Sequence, residues 1–287
     1  MAIDYQSLKN WPFQDIVQTY TAKDCVLYAL GVGLGADPLD RRQLRFVYED
    51  GLQMLPTMPV VLGTPGFWLK DVDTGIDWKA VLHGEQSLTI HRSLSTAGTV
   101  RSRMSIEEIV DKGPGKAAVL YSRRDLYDHA SGELLCSLWS SGVCRGEGGF
   151  GGPSGPTRAP HPLPDREPDL SCDLPTLRQA ALIYRLSGDY NPLHADPAVA
   201  AAAGFDRPIL HGLCTYGVAG HAILKTLCGY DASRLRRFDV RFSAPVYPGE
   251  TIRAEVWKEG RGRASFRARV LERDIVVLNN GLAQYDG

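Results

Sequence analysis

The sequence predicts an α+β protein made of two similar units in tandem, each pairing a helix with an antiparallel sheet. Both halves run in one order: a helix, an irregular region rich in glycine and proline, then a meander of short alternating segments. Matching groups recur at matching places. Tyr28-x-Leu30 with Gly35-Ala36-Asp37-Pro38 parallels Tyr184-x-Leu186 with His194-Ala195-Asp196-Pro197. Ala97-Gly98-Thr99-Val100-Arg101 parallels Pro248-Gly249-Glu250-Thr251-Ile252-Arg253, and Ser140-Ser141-Gly142-Val143 parallels Asn279-Asn280-Gly281-Leu282. A proline- and glycine-rich stretch with little to bury lies between the copies. The division is therefore a first unit over 1–146, a linker over 147–170 and a second unit over 171–287.

Residues 1–20 read as a lead-in, and Thr21–Leu30 as a helix with a cap residue ahead of apolar positions at helical spacing. Gly31-Val32-Gly33-Leu34-Gly35 is no phosphate loop, because no strand leads into it and the spacing misses the dinucleotide fingerprint. Residues 44–80 alternate turn signals with apolar pieces. Ser87–Arg92, Thr99–Ser105, Ala117–Asp125 and Leu134–Cys144 read as strands. In the second half Thr176–Leu186 reads as a helix, and Phe238–Phe242, Thr251–Lys258, Ala264–Glu272 and Ile275–Gln284 as strands.

Composition narrows the function. With 44% hydrophobic and 23% charged residues over 287, the chain is an ordinary soluble globular protein with ample core. A net charge of −1 argues against a nucleic-acid or membrane-surface partner, and no apolar run is long enough for a membrane span. The N-terminus has neither a basic start nor an apolar core, so a cytoplasmic location is expected. Six scattered cysteines form no C-x-x-C pair and read as reduced residues rather than disulfides or metal ligands.

The densest chemistry falls between Tyr184 and Leu227. Asp189, Asn191 and His194 lie within six positions, interrupted by Pro192, so they hang from an ordered loop rather than one helical face. Asp196-Pro197 opens a short helix that Gly204 stops. The run His211–Leu227 reads as a buried helix whose Gly212, Gly217 and Gly220 answer some demand other than helix propensity, such as close packing.

The pattern Tyr184-x-Leu186-Ser187-Gly188-Asp189-x-Asn191-Pro192-Leu193-His194-x-Asp196-Pro197, followed by His211-Gly212-Leu213, resembles the hydratase-2 family, the (R)-specific enoyl-CoA hydratases of the MaoC-like group. The resemblance implies a double hot-dog fold, two tandem units each with an antiparallel sheet wrapped around a long central helix. It implies reversible hydration of trans-2-enoyl-CoA to (3R)-3-hydroxyacyl-CoA, with Asp189 and His194 as the catalytic pair. Asn191 would help hold the water, and the Gly212 amide would face the thioester carbonyl. An acyl-CoA thioester is the implied partner, no cofactor or metal is called for, and a homodimer is expected. The first unit, lacking counterparts of Asp189, Asn191 and His194, would bind the acyl chain.

Residue chemistry agrees with that reading. Hydration of an activated double bond needs a positioned water, a base and a donor near the α-carbon. It also needs N–H dipoles for the charge that builds on the thioester oxygen. His211 either orients the loop, contacts the carbonyl side or is a packed structural histidine. His221 reads as core, and His83, His91, His129 and His161 show no ligand pattern. Arg234, Arg236, Arg237 and Arg241 are the densest basic group, candidates for CoA phosphates with a solvated loop as the alternative. Met54, Leu55, Phe67 and Trp68 supply large side chains for an acyl path. Two competing functions are a hot-dog thioesterase and a non-catalytic acyl-thioester binding protein.

Overall fold

A computed structural model describes residues 3–66 and 68–287. The alternating segments become β1 (Ile16–Tyr20), β2 (Val81–Ile90), β3 (Gly98–Asp111), β4 (Ala118–Asp128), β5 (Leu134–Cys144), β6 (Leu170–Pro175), β7 (Leu235–Phe242), β8 (Thr251–Lys258), β9 (Arg263–Val270) and β10 (Ile275–Tyr285). They form one antiparallel sheet in the order β1-β3-β4-β5-β2-β7-β10-β9-β8-β6. Read inward from either end, the order is the same for the two copies. β2 and β7 join them at the middle, with Ser87 opposite Asp239 and Leu88 opposite Phe238. Each of these strands thereby covers what would be an open edge of the other half.

The helices are α1 (Tyr5–Lys9), α2 (Ala22–Gly31), α3 (Arg41–Leu44), α4 (Trp68–Asp71), α5 (Ala180–Tyr184), α6 (Pro197–Ala202) and α7 (Gly212–Leu227). A capping box between Thr21 and Asp24 starts α2 where the sequence places it. α7 is the core of the second half, its Tyr216 ring set edge-on to Phe238 at 4.8 Å with the hydroxyl donating to Phe238 O. Its glycines answer close packing from the first half. A Cβ on Gly217 would meet Val32 at 2.6 Å, and one on Gly220 would meet Thr57 at 2.4 Å. Tyr28 and Tyr184, the paired tyrosines of the repeat, stand with ring centroids 5.8 Å apart.

The double hot-dog architecture is present with one departure. Among the described residues the first half has no long central helix. Its place against the sheet is taken by the buried segment Met54–Leu62, helical only over the 3₁₀ turn Met58–Val61. Pro56 and Pro59 preclude a regular helix there. Arg124 of β4 holds the segment by donating to the carbonyls of Leu62 and Val60.

Other expectations shift at the edges. β1 lies inside the lead-in and β6 ahead of the expected helix; both are short edge strands with one neighbour each. Thr176–Leu186 is helical only over Ala180–Tyr184, followed by a 3₁₀ turn at Arg185–Ser187. Thr176 is tied instead to the β8 turn, with its N–H and hydroxyl both donating to Glu250 O. The linker is docked rather than loose. Asp111 accepts N–H groups from Gly149 at 2.7 Å and Gly151 at 2.8 Å, Arg158 lies 4.0 Å over the Trp139 ring, and His161 bonds Ser265 at 2.6 Å. No described helix is long and apolar enough to cross a membrane.

Candidate active site

The loop after α5 is shaped by its own side chains. Gly188 takes φ +118°, which turns the chain out of the 3₁₀ segment at a conformation other residues avoid. Asp189 Oδ1 accepts the Asn191 N–H at 3.1 Å, and Asn191 Oδ1 caps the turn Pro192–His194 by accepting the Leu193 N–H at 3.0 Å. Since Leu193 offers only a donor, the Asn191 oxygen is fixed there and its NH₂ is left for other partners. Asp196 caps α6 through the Ala198 N–H at 2.8 Å.

His194 is buried, and its Nδ1–H donates to Ile209 O at 2.8 Å. That bond fixes the tautomer and leaves Nε2 with a free lone pair. His211, the N-cap residue of α7, donates Nε2–H to Asp189 O at 3.1 Å, while its Nδ1 is buried without a partner among the described residues. The two imidazoles stack with centroids 3.8 Å apart and planes 31° from parallel. Burial lowers the His194 pKa; burial, then the neighbouring His194, takes His211 down to about 3. Both rings are therefore neutral near pH 7.

The helix start completes the arrangement. Cys214 N–H and Thr215 N–H bond back to His211 O, whereas Gly212 and Leu213 lie too early in α7 for an intrahelical acceptor. Their N–H groups, at the positive end of a sixteen-residue helix, are available to an anionic oxygen. Phe242 at the end of β7 walls this point, its Cε1 3.3 Å from where a Cβ on Gly212 would sit.

One residue that the sequence offers no way to place joins the site from the first half. His83 of β2 packs on the Phe242 ring at 4.6 Å and bonds Glu85 O at 3.0 Å through Nε2. Burial pulls its pKa down to about 4, opposed by the Glu85 bond and then by the charge of Asp189. Only the β2–β7 pairing brings His83 here, and no local spacing reports it.

Other candidates do not gather. Arg237 and Arg241 alternate with Phe238 and Val240, so they project from the face of β7 opposite α7, and Arg237 is paired to Asp239 at 2.8 Å. Arg236 binds Asp286 and Arg234 donates to Asp286 O at 2.8 Å, at the strand end remote from Phe242. The four arginines therefore form no common phosphate site beside α7. Met54 and Leu55 are buried in the main core, and Trp68 belongs to a separate cluster where it meets Phe13 at 4.8 Å. No single path is lined by all of these, and Phe67 lies outside the described residues.

Asp189, His194 and His211 each offer a potential ligand atom, all within 4.8 Å of one another. A metal binds in the plane of an imidazole at about 2.0–2.1 Å along the nitrogen lone pair. Rings stacked at 3.8 Å aim their lone pairs side by side rather than at one point. The arrangement suits a water held by Asp189 and His194 Nε2 beside an N–H-rich helix start.

Three buried histidines and the half-buried His83 make stability pH-dependent. His83 and His221 are lowered to about 4, His211 to about 3, and His194 is lowered, in each case chiefly by burial. The unfolded chain takes these protons near 6.5 and the folded chain only below it. Their contribution is thus complete above about pH 6.5 and is lost as pH falls toward the folded values, by up to about 1.4 kcal/mol per pH unit for each histidine. Urea midpoints should fall clearly between pH 7 and pH 5; equal midpoints would mean that these histidines protonate without unfolding.

Known proteins share the pattern. Residues 18–146 match the MFE-2 hydratase 2 N-terminal domain and residues 160–280 the MaoC like domain. The chain is 41% identical to 3-hydroxyacyl-thioester dehydratase Y of Mycobacterium tuberculosis over 99% of both proteins. It is 40% identical to the peroxisomal enoyl-CoA hydratase 2 of Arabidopsis thaliana, covering 91% of this chain and 88% of that one. A solved MaoC-like dehydratase from Phytophthora capsici superposes with a TM-score of 0.87 at 34% identity, over 99% of this chain and 98% of that chain.

Proposed function

The chain belongs to the MaoC-like hydratase 2 family, and from that premise we propose how its site adds water to a trans-2-enoyl-CoA to give the (3R)-3-hydroxyacyl-CoA. The protein is a hydro-lyase working on an acyl-CoA thioester. The observation that carries the assignment of roles is the His194 tautomer: Nδ1–H is spent on Ile209 O, so Nε2 faces the site as an acceptor beside the Asp189 carboxylate.

In the proposed reaction one water is held between Asp189 and His194 Nε2, with the Asn191 NH₂ as a third contact. Nε2 takes a proton as the water oxygen bonds to carbon 3. The electron pair of the double bond moves toward the thioester, whose oxygen gains charge opposite the Gly212 N–H. Burial makes the His194 imidazolium a ready acid, and it returns the proton to carbon 2. The elements of one water are added and the enzyme is restored. His211 fixes the loop through its bond to Asp189 O, and His83 with Phe242 walls the site from the first unit, 1–146. That unit is assigned the acyl chain, and 171–287 the chemistry.

With crotonyl-CoA the conjugated enoyl-thioester absorbance should disappear without release of free thiol. Deuterium from heavy water should appear at carbon 2 in one configuration. Stoichiometric thiol release would replace hydration by thioester hydrolysis.

A further inference from the structure

We propose that the first half carries a polar subsite, formed by Ser122 and Ser140 with Arg124 beside them, that selects acyl chains bearing a hydroxyl or carbonyl oxygen about eight carbons beyond the reacting bond. This rests on the hydration reading above.

The sheet register sets out the subsite. Val240, Gln86, Ser140, Ser122 and Ile106 lie opposite one another on the five adjacent strands β7, β2, β5, β4 and β3. The next row on the same face is Phe238, Leu88, Leu138, Arg124 and Met104. Phe238 packs on Tyr216, so this is the inner face of the sheet. A core-facing row should be apolar. Here Gln86, Ser140 and Ser122 form a polar stripe between two separate apolar clusters, one holding Leu88, Leu138 and Leu126 and the other Ile109, Leu120 and Cys144.

The stripe is also incompletely covered. Ser140, Arg124 and Met104 are only partly buried although β3, β4 and β5 are interior strands, whereas Leu138 and Leu126 beside them are fully buried. Their exposure opens inward. The serine hydroxyls bond each other at 2.9 Å, which leaves one O–H donor and several lone pairs for a ligand. Arg124 donates to two backbone carbonyls and meets no carboxylate among the described residues.

The sheet register puts the stripe within reach of the reacting centre. His83 of the active site lies opposite Gly142, and Gly142 opposite Leu120, so the floor between His83 and Ser140 has a residue without a side chain. From β2 to β4 is two strand spacings, roughly 10 Å, the reach of about eight chain carbons. A plain alkyl chain passing over Ser122 and Ser140 would strip water from their hydroxyls and return no hydrogen bond. A chain with an oxygen at that depth would replace the water's bonds.

The test compares trans-2-dodecenoyl-CoA with its 11-hydroxy counterpart, using crotonyl-CoA as a short reference. The wild-type enzyme should favour the hydroxylated chain by about tenfold or more in kcat/KM. Ser122→Ala/Ser140→Ala should abolish that preference, through KM, while crotonyl-CoA turnover stays at the wild-type rate. Equal wild-type constants for the two long substrates overturn the proposal whether or not the variant folds. A preference surviving in a variant with normal crotonyl turnover does the same. No turnover of crotonyl-CoA by the wild type would overturn the hydration reading itself, a different result.

Discussion

Replacing His194 by Gln or Asp189 by Asn is expected to lower kcat by ~10²–10⁴, the range for losing a general acid or base. The fold should survive both. Asn at 189 keeps an oxygen for the Asn191 N–H, the bond that shapes the loop, and loses only the charge. Gln at 194 can still reach toward Ile209 O, but offers no nitrogen lone pair to the water. Because the two groups share one water, the double variant should cost far less than the product of the single losses. Burial lowers the His194 pKa, so the acid limb of the wild-type kcat profile should lie below the ordinary histidine value near 6.5, and His194→Gln should flatten it. Circular dichroism and kcat on crotonyl-CoA check both claims. A fully active single variant would remove that residue from the mechanism.

Asp189, Asn191 and His194 were legible because one short loop supplies them, and sequence distance there is spatial distance. His83 and Phe242 were not. They meet through pairing of β2 with β7, some 150 positions apart, and nothing in either local pattern announces the other. The arginines were misleading for the same reason inverted: density in sequence became dispersal in space once strand alternation sent Arg237 and Arg241 to the far face.

The fold divides along the same physical line. Long interior strands alternate over many residues, and β5 and β8 fall where the alternation places them. The edge strands β1 and β6 have one neighbour each and no sustained pattern. β2 begins six residues ahead of the expected Ser87 because a bulge between His83 and Glu85 breaks its period. That same irregularity lies where His83 joins the site. In the first half, Met54–Leu62 is apolar enough to be core, and its prolines let it fill a helix's place without being one.

Gly212→Val is expected to lower kcat/KM by about two orders of magnitude or more, the equivalent of ~2.7–4 kcal/mol for one lost oxyanion donor. The N–H itself survives the change to valine, so the loss must come from the side chain keeping the carbonyl away from it. Gly212 has an ordinary backbone conformation at the first position of α7, where valine costs the helix nothing relative to glycine. The new Cβ does meet Phe242 at 3.3 Å, and the added methyls press further on a half-buried ring. Packing and carbonyl contact therefore have to be told apart. The carbonyl stretch of bound crotonyl-CoA does so: it should be shifted to lower frequency on the wild type and return toward its solution value on the variant. Gly212→Val/Phe242→Leu relieves the ring without restoring access to the N–H, and should recover melting temperature but not kcat. If trimming Phe242 restores kcat as well, the glycine serves packing alone. A Gly212→Val enzyme that keeps both full activity and the shifted carbonyl would move the oxyanion contact to the Leu213 N–H.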